Sequence, residues 1–176
     1  MRTMRTIVPK AALLLVAAIS LYAAAPVPRP APALTFTEPS GKATSIASLK
    51  GKVVVVQFLL TTCPHCQAFS RVLTQVANEF GPKVQAVGIA FDQDDAKNVP
   101  SYIKNIGTNF PVGSANQQAI PSFLGISVMD YSRMRVPQVV VIDKKGVIRG
   151  QTDINGGGPV GAEASLKALL NTLVKE

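Results

Sequence analysis

The sequence predicts an α/β domain in which a mixed central sheet is flanked by helices. Three observations carry that prediction. Val53–Leu59 and Val84–Phe91 are apolar runs rich in β-branched residues, the composition of strands covered on both faces. Between them, Cys66, Phe69, Leu73, Val76 and Phe80 recur at spacings of three and four, which makes one apolar helix face. Further on, the apolar run Gln138–Asp143 meets a Lys144-Lys145-Gly146 turn into Val147–Gln151, a hairpin. A last helix carries Leu166, Leu169, Leu170 and Leu173 on one face.

The remaining elements follow from turn and cap residues. Leu34–Thr37 is a short strand, and Ala43–Ile46 returns as its partner after a Ser40-Gly41-Lys42 turn. Leu49-Lys50-Gly51-Lys52 turns into the first long strand, and Gly81-Pro82 ends the helix after it. Asp92–Asn98 is a polar loop. Asn98 is placed to cap a helix from Val99 to Ile106, with Pro100 in its first turn and Gly107 beyond its end. Asn109–Val112 is extended, Asn116–Gly125 holds one or two irregular helical turns, and Gly156–Gly158 is a loop.

Composition supports a folded chain: 47% of the 176 residues are hydrophobic and 16% charged, which excludes disorder. The amino-terminal stretch stands apart. Arg2, Arg5 and Lys10 precede an apolar run from Ala11 to Ala25, the pattern of an export signal. Residues 1–25 are therefore expected to be a signal peptide or an N-terminal membrane anchor; cleavage and retention both remain open. The run is short against the roughly 20 residues of a spanning helix. Residues 26–33, with Pro26, Pro28, Pro30 and Pro32, are expected to form a stiff linker, and residues 34–176 the domain. The formal charge of +8 falls to +4 without Arg2, Arg5, Lys10 and Arg29, the only charged residues before Leu34. The remaining basic residues are scattered, so no nucleic-acid face is expected.

The chain has two cysteines, in Cys63-Pro64-His65-Cys66. A loop this small constrains an unfolded chain little, so the pair suits redox chemistry better than structural bracing. Cys63 falls where strand becomes helix, and free N–H groups with the helix dipole favour a thiolate there. Pro64 suits the first helical position, where its missing N–H costs nothing. His65 can donate a hydrogen bond or carry charge near the sulfur. Cys66, one turn on, can attack a mixed disulfide on Cys63. Two Cys and one His fall short of the four ligands of a closed zinc site. Val136-Pro137 precedes the third long strand, as a plain strand edge or as a cis-proline turn packed on the cysteines.

In this order, Ser40-Gly41-Lys42, Leu49-Lys50-Gly51-Lys52 with the valine strand, Cys63-Pro64-His65-Cys66, Asn109-Phe110-Pro111-Val112, and Val136-Pro137-Gln138 with Ile142–Gly146 resemble the thioredoxin superfamily. The resemblance is to its extracytoplasmic TlpA/ResA/CcmG-like branch and covers Leu34 to the C-terminus. It implies a thioredoxin-like fold with a helix–strand insertion in mid-domain, fitted by residues 94–112. It also implies an exposed nucleophile Cys63, a buried resolving Cys66, and a cis-Pro137 that helps bind substrate. Two positions depart from the pattern: Thr62 stands where Trp is usual, and Gln57 where ordinary thioredoxins bury an acid. Asp92 or Asp94 could replace that acid, although a solvated loop is the favoured account of both. The Pro64-His65 dipeptide is that of DsbA, an oxidant, whereas the branch is mostly reducing, so the direction of electron flow stays open.

The expected function is thiol–disulfide exchange with protein substrates outside the cytoplasm, in cytochrome c maturation or general disulfide traffic. A membrane-bound redox partner, a monomeric state and no cofactor or resident metal are expected with it. Two alternatives stay in play. One is a Cu(I) chaperone using Cys63 and Cys66 with Met129 or Met134 as a soft ligand. The other is a thiol peroxidase, against which Leu60 occupies the position of the usual active-site Thr.

Overall fold

The computed structural model describes residues 25–91 and 95–176. Among the described residues eight strands form one sheet: β1 (Arg29–Pro30), β2 (Thr35–Thr37), β3 (Ala43–Ser45), β4 (Val53–Leu59), β5 (Val84–Ala90), β6 (Val112–Ser114), β7 (Gln138–Ile142) and β8 (Val147–Gln151). Their spatial order is β1-β8-β7-β4-β5-β6-β2-β3. β4 runs parallel to β5, and β5 parallel to β6, while β7 lies antiparallel on the other side of β4. The helices are α1 (Pro64–Phe80), α2 (Asp95–Ile106), α3 (Ile120–Leu124), α4 (Val128–Tyr131) and α5 (Glu163–Leu173). This is the thioredoxin-like α/β fold expected from the sequence. Among the described residues no helix is long and apolar enough to cross a membrane.

Each face of the sheet has its own core, and the two-residue period of β4 feeds both. Val53, Val55 and Leu59 pack with Phe69, Leu73 and Val76 of α1 and with Leu166, Leu170 and Leu173 of α5. Val54, Val56 and Phe58 pack with Phe36, Ile89 and with Phe123 and Leu124 of α3. Phe58 and Phe123 are tilted rings 5.6 Å apart. Gln57 falls on the α1 side, a wholly buried amide in an otherwise apolar row.

Four local readings shift. α2 begins at Asp95, not after Asn98, so Pro100 lies inside the helix. Its ring is exposed, and the inward packing of Val99, Tyr102, Ile103 and Ile106 holds the helix across the missing N–H. β6 starts at Val112 because Pro111 can only accept: the Gly88 N–H donates to its carbonyl at 2.9 Å. α4 was not foreseen, although its signal is present. The Ser127 hydroxyl accepts from the Asp130 N–H at 3.0 Å and donates to the Asp130 carboxylate at 2.6 Å.

The fourth shift concerns residues 26–33, expected as a linker. Arg29 and Pro30 pair antiparallel with Ile148 and Val147, and the Ala31 N–H donates to the Gly146 carbonyl at 3.0 Å. The Arg29 guanidinium reaches the Phe123 and Leu124 carbonyls at 3.2 and 3.0 Å and so caps the C-terminus of α3. The stretch is extended as read, and the open edge of β8 draws it into the sheet.

β6 meets β2 closely. A Cβ at Gly113 would meet the Thr37 carbonyl and the Phe36 ring. Gly113→Ala is expected to cost about 1–3 kcal/mol by parting β2 from β6, measured as a lower urea midpoint at unchanged slope. Wild-type stability in that variant would show that β2 has room to move.

Candidate active site

The site lies where β4 ends and α1 begins. Cys63 is the N-cap of α1, in extended backbone, and Pro64 and His65 are the first two helical residues. The Cys63 sulfur accepts the Cys66 N–H at 3.3 Å, one of the orphan donors of the first turn. Cys63 is part-exposed, Pro64 and His65 face solvent, and Cys66 is fully buried in the α1-side core. Neither cysteine is joined in a disulfide. Next to them the chain is braced, with the Gln67 amide donating to the Thr61 carbonyl at 2.9 Å, and Thr62 is exposed.

Pairing of Phe58 with Gln138 brings the start of β7 beside the end of β4. The Val136–Pro137 peptide is cis, and the Cys63 thiol lies 3.9 Å from the Val136 carbonyl oxygen. This turn is locked from behind by side chains that sequence patterns did not single out. The buried Gln138 amide donates to the Arg135 and Asp153 carbonyls at 2.7 and 2.9 Å. The Thr152 hydroxyl donates to the Gln138 side-chain oxygen at 2.7 Å and accepts the Val139 N–H at 3.0 Å.

Beneath Cys66 lies a second network that the sequence did not reveal. The Gln57 amide donates to the Cys66 carbonyl at 2.9 Å, and the Ser70 hydroxyl donates to the Gln57 oxygen at 2.6 Å. That leaves Tyr102 of α2 as donor in its 2.7 Å contact with Ser70, with the Cys66 carbonyl 3.4 Å from the same phenol. Burial pushes the Tyr102 hydroxyl up to about 12, against the opposing pull of its bond to Ser70. The network is therefore uncharged across the physiological range, and a neutral amide occupies the place where an acid was the family expectation. Asp92 and Asp94, the other acids considered for that role, lie outside the described residues.

The copper alternative adds Met129 and Met134 to the two cysteines. Met129 is 71% exposed on α4, and Met134 packs against the core on the other face of the sheet. Among the described residues no three His, Cys, Asp or Glu side chains gather as a metal group. Leu60 packs against that same far-face core.

Comparison with known proteins agrees with this geometry. The Redoxin family model matches residues 26–170. The chain is 26% identical over 121 residues to the thioredoxin-like protein YneN of Bacillus subtilis, covering 68% of this chain and 66% of that protein. It is 30% identical over 122 residues to the thiol-disulfide oxidoreductase ResA of Bacillus thuringiensis, covering 67% of this chain and 64% of that one. Both alignments thus span slightly less than two thirds of the relative's length. Among solved structures, a thioredoxin-family thiol:disulfide interchange protein from Chlorobium tepidum superposes with a TM-score of 0.66 at 29% identity, over 84% of this chain and 97% of that one. The chain belongs to the Redoxin family and is a TlpA/ResA/CcmG-like member of the thioredoxin superfamily.

Proposed function

We propose that this protein exchanges disulfides with protein substrates outside the cytoplasm, with Cys63 as nucleophile and Cys66 as resolving thiol. The observation that supports this best is the Cys63 sulfur, part-exposed at the head of α1, accepting the Cys66 N–H at 3.3 Å beside the cis Val136–Pro137 peptide. In the reducing direction, the Cys63 thiolate attacks a substrate disulfide, forming a mixed disulfide and expelling one substrate thiolate. Cys66, deprotonated, then attacks the Cys63 sulfur. The Cys63–Cys66 bond forms, the second substrate thiolate leaves, and two electrons have passed to the substrate. The oxidising direction is the reverse. In both, the Cys63 sulfur sits at the head of α1 and accepts the Cys66 N–H. Pro64 presets that turn, and His65 stands exposed within it. Val136 and Pro137 present backbone to a substrate segment lying across Cys63.

Residues 1–25 act as an export signal or inner-membrane anchor, and the electrons are exchanged with a membrane-bound redox partner. Direction is tested by equilibrating the full chain in glutathione buffers. We expect a reversible two-electron couple. A potential near or above the glutathione poise would mean disulfide donation. One about 100 mV lower, roughly 5 kcal/mol for two electrons, would mean a reductase. Absence of any reversible couple would overturn the function.

A further inference from the structure

The sheet has two ends, and they differ in chemistry. One carries Cys63, the Val136–Pro137 peptide and α4, whose Tyr131 ring lies 6.0 Å from Phe91 just past β5. The other carries the turns before β4, before β5 and between β7 and β8, with Lys50, Lys52, Lys83 and Lys145; there the Gly51 N–H donates to the Lys144 carbonyl at 2.9 Å.

The register of β1 tells which end the amino-terminal segment enters from. Arg29 lies opposite Ile148 and Pro30 opposite Val147. Traced backwards from Arg29, the chain therefore moves along β8 towards Gln151, which pairs with Val140 near the start of β7. Side-chain contacts agree: the Arg29 guanidinium bonds the Gln151 oxygen at 2.5 Å. The Ala25 N–H donates to the Gly125 carbonyl at 3.1 Å, three residues before α4. The chain thus enters the domain at the end that holds the cysteines.

The same end is where apolar side chains are left in water. Among the described residues the large hydrophobics classed as exposed are Val27, Val128 and Met129, at 39%, 77% and 71%. Arg133 and Arg135, which follow α4 in the chain, are exposed and have no ion-pair partner among the described residues. Asp130 is the acid on α4, and its carboxylate is held by the Ser127 hydroxyl.

We propose that the domain rests on an anionic phospholipid bilayer with this end down. Val27, Val128 and Met129 enter the boundary between headgroups and acyl chains, and Arg133 and Arg135 meet the headgroups. The proposal rests on the reading of residues 1–25 as a retained anchor. Charge alone would instead turn the lysine end towards anionic lipid. The tether opposes that, because the apolar run of the sequence reaches Ala25 and Ala25 is bonded to Gly125. The seven residues of β4 put the ends roughly 23 Å apart before loops are added, so turning over would require peeling residues 25–31 off the sheet. A domain held this way exchanges disulfides with thiols in or close to the membrane plane.

The chain contains no Trp, so single substitutions give clean reporters. The full chain carrying Val128→Trp, or Lys145→Trp at the opposite end, is reconstituted in phosphatidylcholine–phosphatidylglycerol vesicles with and without brominated acyl chains. Placing the same indole at both ends cancels its own affinity for the interface, and far-UV circular dichroism checks the fold of each variant. Expected is a roughly twofold or greater quenching at position 128 and none at 145. Quenching at 145 alone would overturn the proposal in favour of the lysine end. Quenching at neither, in a chain that floats with the vesicles, would overturn it too and leave the patch to a protein partner. Failure of the chain to float would instead bring down the anchor itself, and this proposal with it.

Discussion

Cys63→Ser is expected to abolish disulfide exchange, a loss of about a thousandfold or more, while Cys66→Ser is expected to trap substrates. The asymmetry follows from burial and from the cap. Cys63 is part-exposed and its sulfur is the acceptor at the head of α1, whereas Cys66 is fully buried. A hydroxyl in place of the Cys63 sulfur cannot form the mixed disulfide, so nothing downstream occurs. With Cys66 gone, attack still takes place, but no internal thiol releases the substrate. Extracts from cells expressing Cys66→Ser should contain disulfide-linked adducts that vanish on a reducing gel. If the adducts formed instead on Cys63→Ser, the two roles would have to be exchanged.

Gln57→Glu is expected to make stability depend on pH in a way the wild type does not. A protonated Glu can reproduce both contacts of Gln57, donating to the Cys66 carbonyl and accepting from Ser70. An ionised one faces that carbonyl oxygen, fully buried, with Ser70 as its remaining donor. Its folded-state pKa is therefore raised above the roughly 4.3 of an unfolded Glu. With a raised pKa, the stability is fully present below the unfolded value and is lost as pH rises through the folded one. The variant should match wild type within about 1 kcal/mol at pH 4 and fall about 3 kcal/mol below it at pH 8. Paired urea titrations at the two pH values check this. An equal deficit at both would mean that the site distorts whether or not the carboxyl is charged.

What could be read from the sequence was whatever a local pattern encodes. β4, β7 and β8 fall where apolar runs and turn residues put them, and the helical spacing from Cys66 to Phe80 gave α1 and, with it, the cap position of Cys63. What could not be read was contact at a distance. Tyr102 joins the Cys66 network across 36 residues, and a phenol on a helix leaves no mark distinguishing a buried polar anchor from plain core. Gln138 and Thr152 lock the cis-proline turn through side chains 14 apart, and neither looks unusual in its own strand. β1 was hidden for a different reason: its prolines signal a linker, and only the free edge of β8 reveals them as part of a sheet.

Those prolines bear on how the molecule behaves in a crowded solution. In an edge strand, alternate N–H groups point inward and outward. Along β1 Arg29 and Ala31 face β8, as the Ala31 donation to Gly146 records, so the outward position of this two-residue strand is Pro30. Pro30 has no N–H to offer, and Pro28 and Pro32 flank the strand in sequence. The β1 edge of the sheet thus presents no outward donor in its strand to a neighbouring molecule, which protects that edge against strand-to-strand aggregation. A chain cut at Leu34 would discard that protection and leave β8, with its regular donors and acceptors, as the new rim.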